Sequence, residues 1–121
     1  MTHKQFNAFC SNLPHTTYVM QWGGSHVWKI GGKVFAIGFA RKDRSPAFTF
    51  KASENNYYFL REKEGYQPAP YFASRGMKWI QQFDEVIADK EELEYYIMES
   101  YRMVAQGLTK KVRRELGLSM E

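Results

Sequence analysis

Hydrophobic and polar positions alternate with a period of two on both sides of Gly31-Gly32. A Gly-Gly pair between two such runs is typical of a tight β-hairpin turn, because both turn positions need a positive φ. The loop predicts a register in which Ile30 pairs with Lys33, and Trp28 with Phe35. Since side chains alternate along a strand, one face should be heavy and apolar and the other lighter. The predicted heavy face holds Trp28, Ile30, Phe35, Ile37 and Phe39, and the lighter face Val27, Lys29, Val34, Ala36 and Gly38.

Other periodic segments precede and follow this hairpin. Thr2-x-x-Gln5 is a capping box before apolar positions at helical spacing, which predicts a first helix that ends before Pro14. Residues 17–21 read as a strand that a Trp-Gly-Gly turn connects to the hairpin. Residues 47–51 alternate again and predict a third strand, with Lys51 beside Lys29 on the lighter face.

The second half of the chain predicts two helices and one strand. Ser53 can cap a short helix over 54–63, and an extended connector over 67–70 follows. Residues 77–83 predict a strand with Trp79 inward and Lys78 outward. Asp89 caps a long helix whose apolar stripe runs as far as Val112.

This order of elements predicts an α+β fold, with an antiparallel sheet, helices packed on one face and the other face open. The 121 residues suit a single domain over 1–121, with a basic C-terminal helix extension over about 109–121. A hydrophobic content of 44% excludes a disordered chain.

Several classes of function find no support in the sequence. The lone Cys10 excludes an intramolecular disulfide and a multi-cysteine metal site. The three histidines lie in separate segments, and Ser25 and His26, as neighbours in a strand, should point to opposite faces. We therefore expect no enzymatic activity and no cofactor. The chain shows neither a signal peptide nor an apolar run long enough for a membrane span, so we expect a cytoplasmic protein without a membrane partner.

Charge is distributed unevenly along the chain. The net charge is +4, yet residues 84–99 hold seven acids and one base, a net charge of −6, so the remainder carries +10. Such segregation favours partners of opposite sign at the two poles of the molecule.

The order and spacing of several short segments carry a resemblance to a known family. These segments are the helix ending in Leu13-Pro14, the hairpin 29–36, Phe48-x-Phe50-Lys51 before Ser53, Lys78-Trp79, and Ser100-Tyr101. Together they resemble the MmcQ/YjbR family over about residues 2–108. The resemblance implies a two-layer sandwich similar to CyaY, the bacterial frataxin, with a double-wing arrangement and a DNA-binding or regulatory role. Where the family often has a basic-His-Trp segment, this chain has 75–79 without histidine, so no histidine role carries over.

The basic residues of the predicted open face are the candidate nucleic-acid site. Strand parity predicts that three lysines share one surface, with a fourth at the hairpin tip and an arginine in the adjoining turn. In that order these residues are Lys29, Lys51 and Lys78, then Lys33, then Arg75. Several cations in a fixed array give weak, salt-sensitive binding of phosphates. Solvated lysines are also ordinary on an open sheet face, where they discourage aggregation, so both interpretations stay open.

Two other features each allow two interpretations. The aromatic residues Trp22, Tyr57, Tyr58, Tyr66 and Tyr71 are candidates for stacking on unpaired bases, or they belong to the core and its rim. The basic residues of 110–114 are candidates for a phosphate clamp, or they offset the helix dipole.

The acidic segment 84–99 supports an alternative function, the binding of a basic protein partner. The frataxin-like fold implied by the resemblance adds a third alternative, a hard cation bound by carboxylates. Acids at a helix start are also expected for capping alone. The sequence does not indicate an oligomeric state.

Overall fold

The computed structural model describes residues 1–84 and 89–118. In chain order the elements are α1 His3–Ser11, β1 Thr16–Gln21, β2 Ser25–Ile30, β3 Lys33–Ala40, β4 Pro46–Lys51, α2 Glu54–Leu60, β5 Tyr66–Pro68, α3 Pro70–Ser74, β6 Trp79–Gln82, α4 Lys90–Gln106 and α5 Lys110–Leu116. Within these residues the strands form one six-stranded antiparallel sheet, in the order β1-β2-β3-β4-β6-β5. The predicted α+β class is confirmed.

The sheet has one face covered by α1 and α4, which we call the helix face. The ring of Phe6 in α1 lies 4.9 Å from that of Phe48, and Tyr96 in α4 stacks on Phe50 at 6.0 Å. Phe48 and Phe50 are fully buried, as their predicted place on the apolar face requires. The opposite face, which we call the groove face, carries one row of side chains that includes Val27, Ile37, Thr49 and Gln81.

A β-bulge at Phe35 changes the predicted register of the hairpin. Ile30 pairs with Lys33 as predicted, but the register shifts after Lys29, so Trp28 pairs with Ala36 rather than with Phe35. The predicted pairing beyond the first two pairs is therefore wrong. Phe35 and Ala36 both enter the core on the helix face, as happens when a bulge sets two residues opposite one.

The same bulge exchanges the faces of the rest of β3. Ile37 pairs with Val27 on the groove face, and Gly38 pairs with His26 on the helix face. The prediction that placed Ile37 and Phe39 with Trp28 is wrong, and both side chains line a cavity on the groove face. The face that was expected to be light is thus largely apolar.

Ser100 of α4 bonds to backbone groups beside the bulge. Its hydroxyl donates to the carbonyl of Phe35 at 2.7 Å and accepts from the backbone N–H of Lys51 at 2.9 Å. The Ser100 side chain and its bond to the Phe35 carbonyl are buried, whereas the bond from the Lys51 N–H is part-buried. One hydroxyl therefore satisfies a carbonyl of β3 and an N–H of β4.

The side chains of strand β6 point to the opposite faces of the sheet from those predicted. Ile80 pairs with Phe50 on the helix face, whereas Trp79 pairs with Lys51 on the groove face. Alternation then directs Lys78 away from the face of Lys51, so the predicted outward placement of Lys78 with the other lysines is wrong. The physical reason is that Ile80 fills the core, while Phe72 of α3 covers Trp79 with a stacked ring at 4.5 Å.

The C-terminal helix is broken into two. α4 ends at Gln106, and α5 begins after Thr109, whose hydroxyl accepts from the N–H of Val112. The apolar stripe is right but the predicted continuous helix is wrong, because Thr109 caps a new helix. Leu108 and Val112 pack on the hairpin tip at Gly31, where a Cβ would lie 2.6 Å from a methyl carbon of Leu108.

Among the helices of residues 1–84 and 89–118, none combines the length and apolarity needed to cross a bilayer.

Candidate functional site

The groove face holds a cavity of about 740 Å³. Side chains of the central strands form its floor, and these are Ser25, Ile37, Phe39, Thr49 and Gln81. Trp22 from the β1–β2 turn forms one wall, and Tyr71 from α3 forms another. The volume falls in the range of sites that bind small molecules, and the mostly apolar lining with a few polar groups is typical of them.

A second recess of about 350 Å³ adjoins this cavity. Trp22 and Phe72 line both spaces, and we call the two together the groove. Val104 of α4 and its C-cap residue Gly107 also line the recess, so it lies at the end of the sheet nearest the C-terminus of α4. Lys33 and Lys51 line the recess together with apolar groups. The groove therefore has an aromatic end and a cationic end.

The structure brings together three of the five basic residues predicted for the site. Lys29 pairs with Val34, and Val34 lines the recess with Lys33 and Lys51. Lys33 and Lys51 are exposed, and Lys29 is half-buried. These three lysines, which we call the lysine cluster, flank the cationic end of the groove.

The other two predicted residues lie apart from the lysine cluster. Arg75 follows α3, and its guanidinium lies 5.8 Å from the centre of the Tyr71 ring, at the aromatic end. Lys78 lies on the side of the strand that faces away from Lys51, so it is not part of the surface that the sequence predicted for it.

Trp22 occupies an unusual backbone conformation. Its φ is +54°, and Gly23 and Gly24 continue the turn with φ of +75° and +96°. A positive φ is rare for a bulky residue because its Cβ is crowded there. The Ser25 hydroxyl donates to the Trp22 carbonyl at 3.2 Å, and the residue remains 61% exposed. The turn thus holds an indole over the groove and exposes it to solvent.

Aromatic contacts fix α3 over the groove face. Phe72 stacks on Trp79 with an interplanar angle of 12°, and Tyr71 meets Phe72 edge to face at 5.5 Å. Tyr71 itself is 65% exposed. The helix therefore offers one free aromatic ring while its neighbour anchors it to the sheet.

Two polar side chains stand in the floor of the cavity. Thr49 is buried, and Gln81 is buried with its amide oxygen accepting from the Gln67 amide at 2.7 Å. Among the described residues that line either part of the groove, none is His, Cys, Asp or Glu.

The remaining aromatic candidates do not line the groove. Tyr66 is buried in the core, and burial raises the pKa of its hydroxyl. Tyr57 packs against the core, whereas Tyr58 is exposed on α2 beneath the guanidinium of Arg61. Of the five aromatic candidates, Trp22 and Tyr71 are the two that the structure places at the groove.

The acidic segment lies mainly along α4, on the other side of the sheet from the groove. Asp89 caps α4 by accepting from the N–H of Glu91, as predicted, and Glu92 pairs with Lys63 at 2.8 Å. The hydrogen bond that the Lys63 ammonium donates to the Glu92 carboxylate raises the pKa of Lys63. Glu85 lies outside the described residues. In the part of the chain that the structure describes, no three His, Cys, Asp or Glu side chains converge as a metal site requires.

The side chains considered for catalysis are separated or buried. Ser25 lies in the floor of the cavity, whereas His26 lies on the helix face, with its Nδ1 2.8 Å from the Tyr18 hydroxyl. Burial and the neighbouring His3 lower the pKa of His26. Cys10 is fully buried in α1, and burial raises the pKa of its thiol.

Comparison with known proteins agrees with this architecture. The family model named YjbR matches residues 11–103, which is most of the chain. The chain belongs to the YjbR family. The matched segment runs from the end of α1 to the last turns of α4, so it includes every strand of the sheet and Ser100.

Two solved structures share the fold of this YjbR-family protein. A crystal structure of a Deinococcus radiodurans protein with the domain DUF419 has a TM-score of 0.82 at 23% identity, over 98% of this chain and 89% of that one. A Pseudomonas syringae protein has a TM-score of 0.70 at 18% identity, over 86% of this chain and 99% of that one. No protein of curated function matches the sequence.

Proposed function

We propose that this YjbR-family protein is a non-enzymatic module that binds nucleic acid weakly through its phosphates at the lysine cluster. One observation carries the proposal: Lys33 and Lys51 line a recess that shares Trp22 and Phe72 with an aromatic cavity. Phosphate contacts from fixed lysines, next to aromatic rings, are the combination that proteins use to bind nucleic-acid strands.

The distribution of charge supports this orientation. The acids at the start of α4 lie on the helix side of the sheet, and some are engaged in capping or in the pair with Lys63. Lys29 and Lys51 lie on the opposite side, and Lys33 lies at the hairpin tip, at the end of the sheet. A polyanion is therefore attracted to the groove face and repelled from the acidic end of α4.

The lining of the groove supports binding rather than acid-base chemistry. Its floor is apolar apart from Ser25, Thr49 and Gln81, and its titratable side chains are Lys33, Lys51 and Tyr71. The described lining offers no carboxylate or imidazole as a general base.

Salt-dependent binding tests the proposal. Fluorescence anisotropy with single-stranded and duplex oligonucleotides at 50 and 200 mM salt should show affinity that falls as salt rises. Three phosphate contacts predict a fall of about 20-fold for a single strand over this range. Lys51→Glu should lower affinity about tenfold and make the salt dependence less steep.

Lys4→Glu and Lys78→Glu are matched controls for this experiment. Both make the same change of charge, but Lys4 is exposed on α1 and Lys78 faces away from Lys51. Each should change affinity less than Lys51→Glu does, because neither side chain lines the groove. Equal weakening by all three variants, or salt-independent binding, would contradict a site at the lysine cluster. Binding of a basic protein partner instead would favour the acidic segment.

A further inference from the structure

We infer that the aromatic cavity receives one unpaired base of a nucleic-acid strand whose phosphates lie at the lysine cluster. This inference rests on the proposed function and extends it, because it assigns the cavity a ligand and makes the protein selective for single strands. In a duplex, both faces of a base are stacked and its edge is paired, so the base cannot enter a cavity without being extruded.

Two exposed rings approach the cavity from opposite parts of the sheet. Trp22 belongs to the β1–β2 turn, and Tyr71 belongs to α3 beside β6. Both rings remain more than half exposed, in contrast to Phe72, one face of which is stacked on Trp79. Exposed aromatic rings stack on bases of any sequence, because every base has a π-face.

The floor of the cavity fits the edge and the faces of a base. Ile37 and Phe39 are apolar, so they would contact the face of a base without leaving a polar group unpaired. Thr49 and Gln81 place a hydroxyl and an amide on the same floor, and these groups can donate to or accept from the edge of a base. The lining therefore suits a planar heteroaromatic group.

The backbone at Trp22 is a second, independent observation. With φ of +54°, this residue is in the left-handed region, which disfavours any side chain and is open to glycine. A large exposed ring is nevertheless present at this position, next to two glycines. Strained bulky residues cluster at functional sites, where the position of the side chain matters more than the strain.

The position of the lysine cluster decides between a strand and a neutral ligand. Lys33 and Lys51 open into the recess that shares Trp22 and Phe72 with the cavity. A base in the cavity thus has cations beside it, where its own phosphate or the next one along the strand would lie. Charge complementarity therefore favours a nucleic-acid strand over an uncharged aromatic molecule.

Oligonucleotides with and without bases test the inference. The full chain is titrated with a labelled single strand, with an abasic strand of equal length and charge, and with a duplex. The intact single strand should bind at least about fivefold more tightly than the abasic strand, since stacking of one base is worth this much or more. Tyr71→Ala should remove most of this difference and leave abasic binding unchanged.

Further variants keep the test interpretable. Trp22→Gly removes the indole and relieves the backbone, so it should fold and should lose the preference for bases as Tyr71→Ala does. Tyr58→Ala is the control, because Tyr58 is 46% exposed on α2 and does not line the groove. Lys51→Glu should weaken the intact and the abasic strand by the same factor.

Each outcome separates this inference from the proposed function. If the abasic strand binds as well as the intact one and Lys51→Glu weakens both, the base site is wrong and phosphate binding at the lysine cluster stands. If none of the strands binds, both proposals are wrong. If Tyr58→Ala reduces base preference as strongly as Tyr71→Ala, the cavity is not the base site.

Discussion

Replacing Ser100 by alanine tests whether the helix holds the bulge in place. The Ser100 hydroxyl bonds to the carbonyl of Phe35 and to the N–H of Lys51, and the side chain is fully buried. Alanine has nearly the same shape, so the substitution opens no sizeable cavity. It leaves the buried carbonyl of Phe35 and the part-buried N–H of Lys51 without these hydrogen bonds.

The magnitude follows from those two groups. A buried donor or acceptor left unpaired costs about 1 to 3 kcal/mol. Alanine favours a helix over serine by about 0.5 kcal/mol or less, which offsets a small part of the loss. We expect Ser100→Ala to lower the free energy of unfolding by about 2 to 3 kcal/mol and to lower Tm by roughly 10 °C.

Urea denaturation followed by circular dichroism measures this change, and Ser11→Ala is its matched control. Ser11 also lies in a helix and donates to a carbonyl, that of Ala8 at 2.9 Å, but it is exposed. Water can replace the lost bond there, so the control should change stability by less than about 0.5 kcal/mol. A loss below about 1 kcal/mol for Ser100→Ala, or equal losses for both variants, would refute the role assigned to the hydroxyl.

Three further predictions concern other parts of the fold. Gly38→Ala should destabilise the protein by about 1 to 3 kcal/mol, because its Cβ would lie 2.9 Å from the ring of Phe6, whereas Gly107→Ala, with neighbours at 3.5 Å, should be close to neutral in urea denaturation. Since the pKa of His26 is lowered from 6.5 in the folded state, the unfolded chain binds the proton more readily, and stability should fall as pH decreases below about 6.5. His26→Gln should reduce that fall when unfolding is compared at pH 7 and pH 5, and an unchanged fall would contradict the assignment. Burial raises the pKa of the Cys10 thiol, so a thiol reagent at pH 8 should react with the unfolded chain and not with the folded one; rapid reaction of the native protein would show that Cys10 is accessible.

Sequence analysis predicted correctly the helix starts and the turn that neighbouring residues determine. The Thr2 capping box and the Ser53 cap start α1 and α2 as expected. The Gly31-Gly32 turn sets the first two pairs of the hairpin as expected. These features depend on neighbouring residues alone, so they can be inferred without knowing the rest of the fold.

Which side chains of a strand point to the helix face depends on contacts between residues distant in the sequence, and these orientations were predicted less well. Strand β6 is buried on both faces, because α3 covers Trp79 while Ile80 fills the core. A strand with two buried faces has no clear alternation to indicate which side is inside. The error in the placement of Lys78 follows directly from this ambiguity.

One residue in the sequence indicates the bulge. Gly38 lies in the middle of β3, where a glycine weakens a strand and often marks the close approach of another element. Here the Phe6 ring of α1 occupies the space that a side chain would need. If Gly38 faces the helices, then Ile37 and Phe39 must face the other way, which predicts an apolar groove. Phe72 and Gln81 gave no comparable signal, because their placement depends on α3 packing across the sheet.

The bulge at Phe35 lets one strand supply two consecutive side chains to the same side of the sheet. Loss of the Phe35 codon would remove the extra residue, while Ala36 would keep its pairing with Trp28 and Ile37 its pairing with Val27. Residues 36–40 would then keep their present faces, and the helix face would lose one aromatic ring. The extra residue therefore adds volume beneath the helices without deciding which side chains of β3 the groove presents.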